Sequence, residues 1–198
     1  MYPKTINNLI ECYKKLPGIG EKTAERLALS TLSMPEDVHE LFITSLKDSK
    51  TKIKKCSNCG NFSENDLCII CEDENRDKEV ICVVEESKNI VLFEKVGTFN
   101  GKYHVLNGLI SPLDGVNPED LNINSLINKI KNEGIKEVIL AVKPTVEGET
   151  TSLYIRKLLE GTDVVISKIA HGIPMGADID YIDSLTLEIA LSDRTQIS

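Results

Sequence analysis

The sequence predicts an α/β protein in three parts: an N-terminal helical hairpin, a small four-cysteine knuckle, and a parallel sheet with crossover helices. Three observations carry that reading. Apolar residues at helical spacing fill the first 55 residues and are interrupted by Leu16-Pro17-Gly18-Ile19-Gly20. Two Cys-x-x-Cys pairs fall between Cys56 and Cys71, and from Glu79 onward short apolar runs alternate with amphipathic segments. A length of 198 residues suits one main domain with small modules attached. With 41% hydrophobic and 27% charged residues, the composition excludes collagen-like and disordered classes, and 5% aromatics without Trp imply an aliphatic core. No apolar run approaches the ~20 residues of a membrane helix, and none follows the N-terminus as a signal peptide would, so a cytoplasmic protein without membrane contact is expected.

The elements follow in order. Ile6, Leu9, Ile10 and Tyr13 form one helical stripe, and Thr23, Ala24, Leu27 and Ala28 form the next; Met34-Pro35 breaks the chain before a third helix from Glu36 to Lys50. Residues 56–72 are polar and too short for a core of their own, so they need a metal to fold. Buried strands are expected over Lys78–Glu85, Tyr103–Leu106, Glu137–Val142 and Val164–Ile169, with helices over Asn89–Val96, Ile123–Glu133, Thr150–Leu159 and Leu185–Leu191. The loop from Gly108 to Leu121 carries Pro112, Gly115 and Pro118 and reads as rigid turns. These elements divide the chain into a hairpin module at 1–55, the knuckle at 56–72, a sheet domain at 78–170 and a C-terminal segment at 171–198.

The glycine-containing bend is not a nucleotide-binding P-loop, which needs Gly directly before its Lys and a strand leading in. Here Glu21 precedes Lys22 and the lead-in is an amphipathic helix. A tight turn between two helices fits better, with Gly18 and Gly20 permitting positive backbone angles and close approach of a ligand, and Ile19 anchoring the turn. The next helix then offers free backbone N–H groups to a phosphate, and Lys22 and Arg26 add charge on one face. Such a surface binds DNA without reading bases, with affinity that falls as salt rises. The net charge of -8 hides an uneven distribution: residues 1–55 hold ten Lys/Arg against seven Asp/Glu, the remainder 13 against 24. The Leu-Pro-Gly-Ile-Gly run resembles the helix-hairpin-helix of DNA repair proteins. A packed hairpin serving protein contacts is the alternative.

Cys56, Cys59, Cys68 and Cys71 have the spacing that brings four thiolates around one Zn2+, and four sulfur ligands leave no position for a reacting water, so the ion is structural. Gly60 suits the knuckle turn. A redox pair or disulfide is the other reading of these cysteines. Glu85 ends the first long strand, while Glu147 and Glu149 follow the third around Gly148; if those strands are neighbours, the three carboxylates converge as in a Mg2+ site. They equally suit an acidic patch that docks a basic partner.

The strand ending at Glu85 and the Glu147-Gly148-Glu149 turn resemble a Toprim domain. Together with the hairpin, the four cysteines, Tyr103-His104-Val105-Leu106, Ser111-Pro112-Leu113-Asp114-Gly115 and His171-Gly172-Ile173-Pro174-Met175-Gly176, the order along essentially the whole chain resembles the RecR family of recombination mediators. The resemblance implies a Toprim-like sheet and a Walker-B-like oligomerisation segment at 171–198. It also implies a dimer or tetrameric ring that clamps DNA, and RecO and RecF type partners with which it helps load recombinase in recombinational repair. The family usually has Asn where Lys143 stands and Asp where Asn89 stands. Both departures weaken a Mg2+ site, so Mg2+ is not expected to be required and a non-catalytic role is favoured. A Mg2+-dependent nuclease or primase-like enzyme using Glu85, Glu147 and Glu149 is the competing reading.

Three further expectations are structural. His39, His104 and His171 lack metal spacing to one another and read as structural residues. Cys12 and Cys82 lie in apolar patterns and read as small core residues. Asp178, Asp180 and Asp183 read as helix caps and interface acids.

Overall fold

The computed structural model describes residues 2–170, 172–192 and 194, and the chain divides into two compact units at Ile53 and Lys54. In the first unit α1 (Lys4–Lys14) and α2 (Glu21–Leu32) are joined by the Leu16–Gly20 turn, and α3 (Glu36–Lys52) follows Pro35. The core of this unit is Ile10, Ala24 and Ala28, flanked by Ile6, Leu9, Tyr13 and Ile19. Thr31 donates its hydroxyl to the Leu27 carbonyl at 2.9 Å, and Tyr13 donates to Thr31 at 2.6 Å, tying α1 to α2. Cys12 lies on the outer side of α1 and is exposed, contrary to the core position expected for it. The stripe of Ile6, Leu9, Ile10 and Tyr13 faces α2, and Cys12, two residues beyond Ile10, is turned about 200° from it. α3 buries none of its residues and leaves Leu41 and Leu46 more than half exposed.

The second unit opens with a short antiparallel ribbon, β1 (Lys54–Lys55) with β2 (Phe62–Ser63), and the one-turn helix α4 (Ile69–Glu72), which together carry the four cysteines. The chain then alternates through β3 (Val80–Val84), α5 (Ser87–Val96), β4 (Lys102–Val105), α6 (Ile123–Asn132), β5 (Glu137–Ala141), α7 (Val146–Leu158) and β6 (Val165–Lys168), closing with α8 (Ser184–Ser192). The four strands from β3 onward are parallel, in the order β4-β3-β5-β6. Gly134, at φ +70, lies just past α6, where helices commonly stop on a left-handed glycine. The Gly108–Leu121 loop holds two 3-10 turns, each starting at one of its prolines, and a Ser111–Val116 bridge.

Strand alternation sends Ile81, Val83, Val138 and Leu140 to one face of the sheet, where α6 and α7 contribute Leu126, Ile130 and Ile155. Cys82, Val84, Tyr103, Val105 and Ala141 face the other side, where they meet Ile90 of α5 and three of the knuckle cysteines, Cys56, Cys59 and Cys68. The knuckle is therefore not an appendage: it forms part of the layer that covers one side of the sheet. Each fully buried aliphatic contributes about 1.5–3 kcal/mol, so this sandwich far outweighs the first unit's core of one isoleucine and two alanines.

α7 starts at Val146, four residues earlier than the sequence predicts, so Glu147, Gly148 and Glu149 lie in its first turn and not in an open loop. Thr145 caps it, accepting the Gly148 N–H at 3.3 Å. Gly148 permits a close approach of backbone to backbone, because a Cβ there would sit 1.8 Å from the Lys143 carbonyl oxygen. Asp178 accepts from the Asp180 N–H and Asp183 from the Thr186 N–H at 2.9 Å, the capping role read from their spacing. His171 lies outside the described residues.

Candidate functional site

Three places in the fold concentrate chemistry. At the α1–α2 turn, Gly18 takes φ +78 and the Ile19 N–H donates to the Leu16 carbonyl at 3.2 Å, bending the chain sharply into α2. Gly20 differs from expectation. Its φ of -86 and ψ of 173 are extended backbone open to any residue, because the reversal is completed at Gly18. A Cβ at either glycine would meet nothing within 4 Å. α2 begins without a side-chain cap, so its first amide groups face outward. Lys22 and Arg26, one turn apart, are exposed and form no ion pair among the described residues; Lys14, by contrast, is held by Glu11 at 2.8 Å and Glu21 at 3.0 Å.

The second place is the cysteine cluster. Gly60, at φ +78, turns the first Cys-x-x-Cys loop, and its N–H donates to the Cys56 carbonyl at 2.9 Å. The four sulfurs lie within 4.8 Å of one another, and Cys59 and Cys68 are 3.6 Å apart. A tetrahedron with ~2.3 Å zinc–sulfur bonds has sulfurs about 3.8 Å apart, so the set fits the ion. None of the six cysteines is in a disulfide, and the 3.6 Å between the Cys59 and Cys68 sulfurs is far beyond an S–S bond of ~2.05 Å. Backbone N–H groups already point at the sulfurs, from Cys68 to Cys56 at 3.3 Å and from Asn61 to Cys59 at 3.4 Å, and such donors stabilise thiolates. The Cys59–Cys68 contact pushes Cys68 well below the usual thiol range and Cys59 well above it. The chain's zinc ion is structural: four sulfurs complete its shell.

The third is the crevice at the carboxyl ends of β3 and β5. The chain leaves β3 toward β4 on one side and returns to β5 on the other, so these two neighbouring strands flank the point where the winding reverses, the usual ligand position in an open α/β sheet. Glu85, 9% exposed, emerges there from β3. Its carboxylate is occupied: the Lys143 ammonium lies 2.9 Å away, and Glu85 raises the Lys143 pKa in turn. Glu147 is lowered by its own backbone N–H and the Thr145 hydroxyl, and Glu149 pairs with Lys168 at 3.2 Å. Each carboxylate thus has its own partner. Asn89 spends its oxygen on the start of α5, accepting the Glu86 N–H at 2.8 Å.

Sequence reasoning passed over Lys102 and Lys129, whose ammonium groups reach the cysteine knuckle. A signal existed: Lys129 sits in the apolar stripe of α6, three residues after Leu126, and Lys102 shares a strand face with His104.

Comparison with known proteins joins these places into one pattern. Residues 6–49 match the helix-hairpin-helix of RecR, 53–73 the four-cysteine zinc finger domain of RecR, 79–170 the Toprim domain and 172–195 the C-terminal region of RecR. The chain is 48% identical to the recombination protein RecR of Natranaerobius thermophilus over 99% of its own length and 98% of that protein. It is 47% identical to those of Staphylococcus haemolyticus and Staphylococcus aureus strain Newman over 99% of each chain. A helical hairpin, a four-sulfur knuckle built into the sheet and a Toprim sheet in this order, at such identity over the full length, make the chain a member of the RecR family of recombination proteins.

Proposed function

We propose that this chain is a recombination-repair mediator that grips the DNA backbone through the α1–α2 turn, works as a homo-oligomer, and carries out no catalysis of its own. One observation carries the DNA contact: Lys22 and Arg26 stand exposed behind an uncapped helix start, among the described residues without a carboxylate partner. Backbone amides with two cations recognise phosphate and not base identity, which suits a protein that acts wherever DNA is damaged. One such module makes few phosphate contacts and binds weakly. Several modules in one dimer or tetramer raise the affinity by tethering, as clamping requires. The exposed apolar side chains of α3 support association between copies. RecO and RecF type proteins are the partners this reading implies, with recombinase loading the outcome and the cytoplasm the place.

The non-catalytic part rests on the crevice. A Toprim reaction needs carboxylates free to hold Mg2+, and the Lys143 ammonium 2.9 Å from Glu85 supplies that positive charge from within the chain.

The test is fluorescence anisotropy of a labelled oligonucleotide across a salt series. Lys22→Glu combined with Arg26→Glu is expected to weaken binding at least tenfold at low salt and to flatten the log–log salt slope by roughly 0.7–0.9 per lost phosphate contact, with the circular dichroism spectrum unchanged. Unchanged affinity overturns the hairpin assignment. Mg2+-dependent cleavage or synthesis by the same preparation, lost in Glu149→Gln, overturns the non-catalytic reading.

A further inference from the structure

Two lysines donate hydrogen bonds to the backbone of the knuckle, and among the described residues neither forms an ion pair. Lys102 leaves β4 and donates its ammonium hydrogens to the carbonyls of Ile70 at 2.7 Å, Cys71 at 3.3 Å and Asp73 at 2.7 Å, which close the short helix α4. Lys129, 8% exposed on α6, donates to the Asn58 carbonyl at 2.7 Å. Asn58 in turn points its side-chain amide at the Cys71 sulfur, 3.5 Å away. Both lysines line one cleft of about 540 Å3 with Asn58 and Cys71 of the knuckle and four acids, Glu72, Asp73, Glu74 and Glu133, of which Asp73 is held below the usual carboxylate range first by the Asn75 backbone N–H and also by Arg76 and Lys102. Among the described residues neither lysine forms an ion pair with a carboxylate, although Lys129 is almost entirely removed from water.

Burying an ammonium with one carbonyl partner is costly unless an anion compensates it. Four thiolates on one Zn2+ carry a net charge of about -2. The two lysines bring +2 to the knuckle that holds that cluster. Their partners are also well chosen: one is the backbone of a zinc ligand, Cys71, and the other is the residue hydrogen-bonded to that ligand's sulfur. The knuckle cysteines meanwhile cover Cys82, Val84, Tyr103 and Val105 on the sheet.

We propose that Lys102 and Lys129 are outer-shell partners of the zinc centre that neutralise the tetrathiolate and clamp the knuckle onto the sheet. Zinc retention and protection of that sheet face then become a single property. The lysines are positioning residues; they do not ligate the metal. Removing either cation loosens the metal, and losing the metal uncovers the sheet.

Two cysteines report on this directly. Cys82 lies under the knuckle, 2% exposed, and Cys12 is exposed in the other unit. The experiment follows zinc transfer to a chromogenic chelator, together with maleimide labelling of each cysteine by peptide mass spectrometry. It compares wild type, Lys102→Met, Lys129→Met, the double variant, the charge-retaining Lys102→Arg and Lys129→Arg, and Lys136→Met. Lys136 is exposed and paired with Glu79, so its loss removes the same charge away from the knuckle. In wild type, zinc removal is expected to open Cys82 to maleimide while Cys12 labels equally throughout. The Met variants are expected to release zinc roughly tenfold faster or more, as outer-shell substitutions do, with Cys82 labelling rising in step. The Arg variants recover most of the effect, and Lys136→Met behaves as wild type. Wild-type release from the two single Met variants overturns the proposal. So does equal acceleration by Lys136→Met, or faster release with Cys82 still protected. Should the double variant fail to fold, the single and Arg variants decide it.

Discussion

His104 shows how one buried residue makes stability depend on pH. Its ring is fully buried in β4, and Nε2 faces the Asn122 carbonyl at 2.8 Å, so Nε2 carries the hydrogen and Nδ1 remains an acceptor without a partner. Burial, with Lys129 nearby, pushes its pKa down to about 4. An unfolded histidine takes up a proton near pH 6.5. Between those values the unfolded chain binds the extra proton, so this contribution is complete above pH 6.5 and is lost as pH falls toward 4, by an amount on the order of 3 kcal/mol. Urea denaturation from pH 7 to 4 is expected to show a steeper loss in wild type than in His104→Gln, which keeps a donor for Asn122. Acid-driven zinc release acts on both proteins alike, so the difference isolates the histidine. Parallel curves sink this account. The histidine was legible as structural from its spacing, but its unmatched nitrogen depends on α6 packing beside the strand.

At the scale of elements, the first unit rests on one turn. Gly18 at φ +78 is in a conformation that costs an alanine roughly 1–2 kcal/mol, whereas Gly20 is extended and open. Gly18→Ala is therefore expected to destabilise the first unit by about that amount. Gly20→Ala costs about half a kcal/mol or less, through a poorer helix cap alone. If Gly20 exists so that a phosphate can approach the backbone, Gly20→Ala weakens oligonucleotide binding by more than its effect on thermal unfolding accounts for. Equal destabilisation by both changes contradicts the turn geometry. Leu-Pro-Gly-Ile-Gly announced the bend, yet a sequence shows two glycines alike and only the backbone angles separate them. The helix α7 gives the complementary case. Its residues 146–149 look like a turn because they hold a glycine between glutamates. Thr145 caps that segment, and the close approach of the Lys143 carbonyl demands the glycine, so the helix starts there.

The whole molecule combines a strong sheet sandwich with a lightly packed hairpin unit. The third helix of the hairpin unit exposes Leu41, Phe42 and Leu46. No helix among the described residues is long and apolar enough to cross a membrane, so lipid does not account for that surface through a spanning helix. Light scattering is expected to give a mass of at least two chains, and Leu41→Glu with Leu46→Glu is expected to lower it while the zinc content stays unchanged. A monomer with and without DNA removes the clamp from the proposed function, since one chain cannot close around a duplex.

The sequence by itself determined what local chemistry and periodicity encode. Cysteine spacing declared the metal, the shift from helical to strand alternation declared the two kinds of architecture, and the glycine bend declared the hairpin. The tertiary structure alone decided which side chains meet across long stretches of chain. Lys143 reaches Glu85 over 58 residues, and Lys129 reaches Asn58 over 71, because a parallel sheet brings distant strand ends and helices together. Those pairings give Glu85 an ion-pair partner and make a separate-looking zinc knuckle part of a core. A linear pattern cannot show either, since a lysine in sequence carries no sign of whether its ammonium faces water, a carboxylate or a carbonyl.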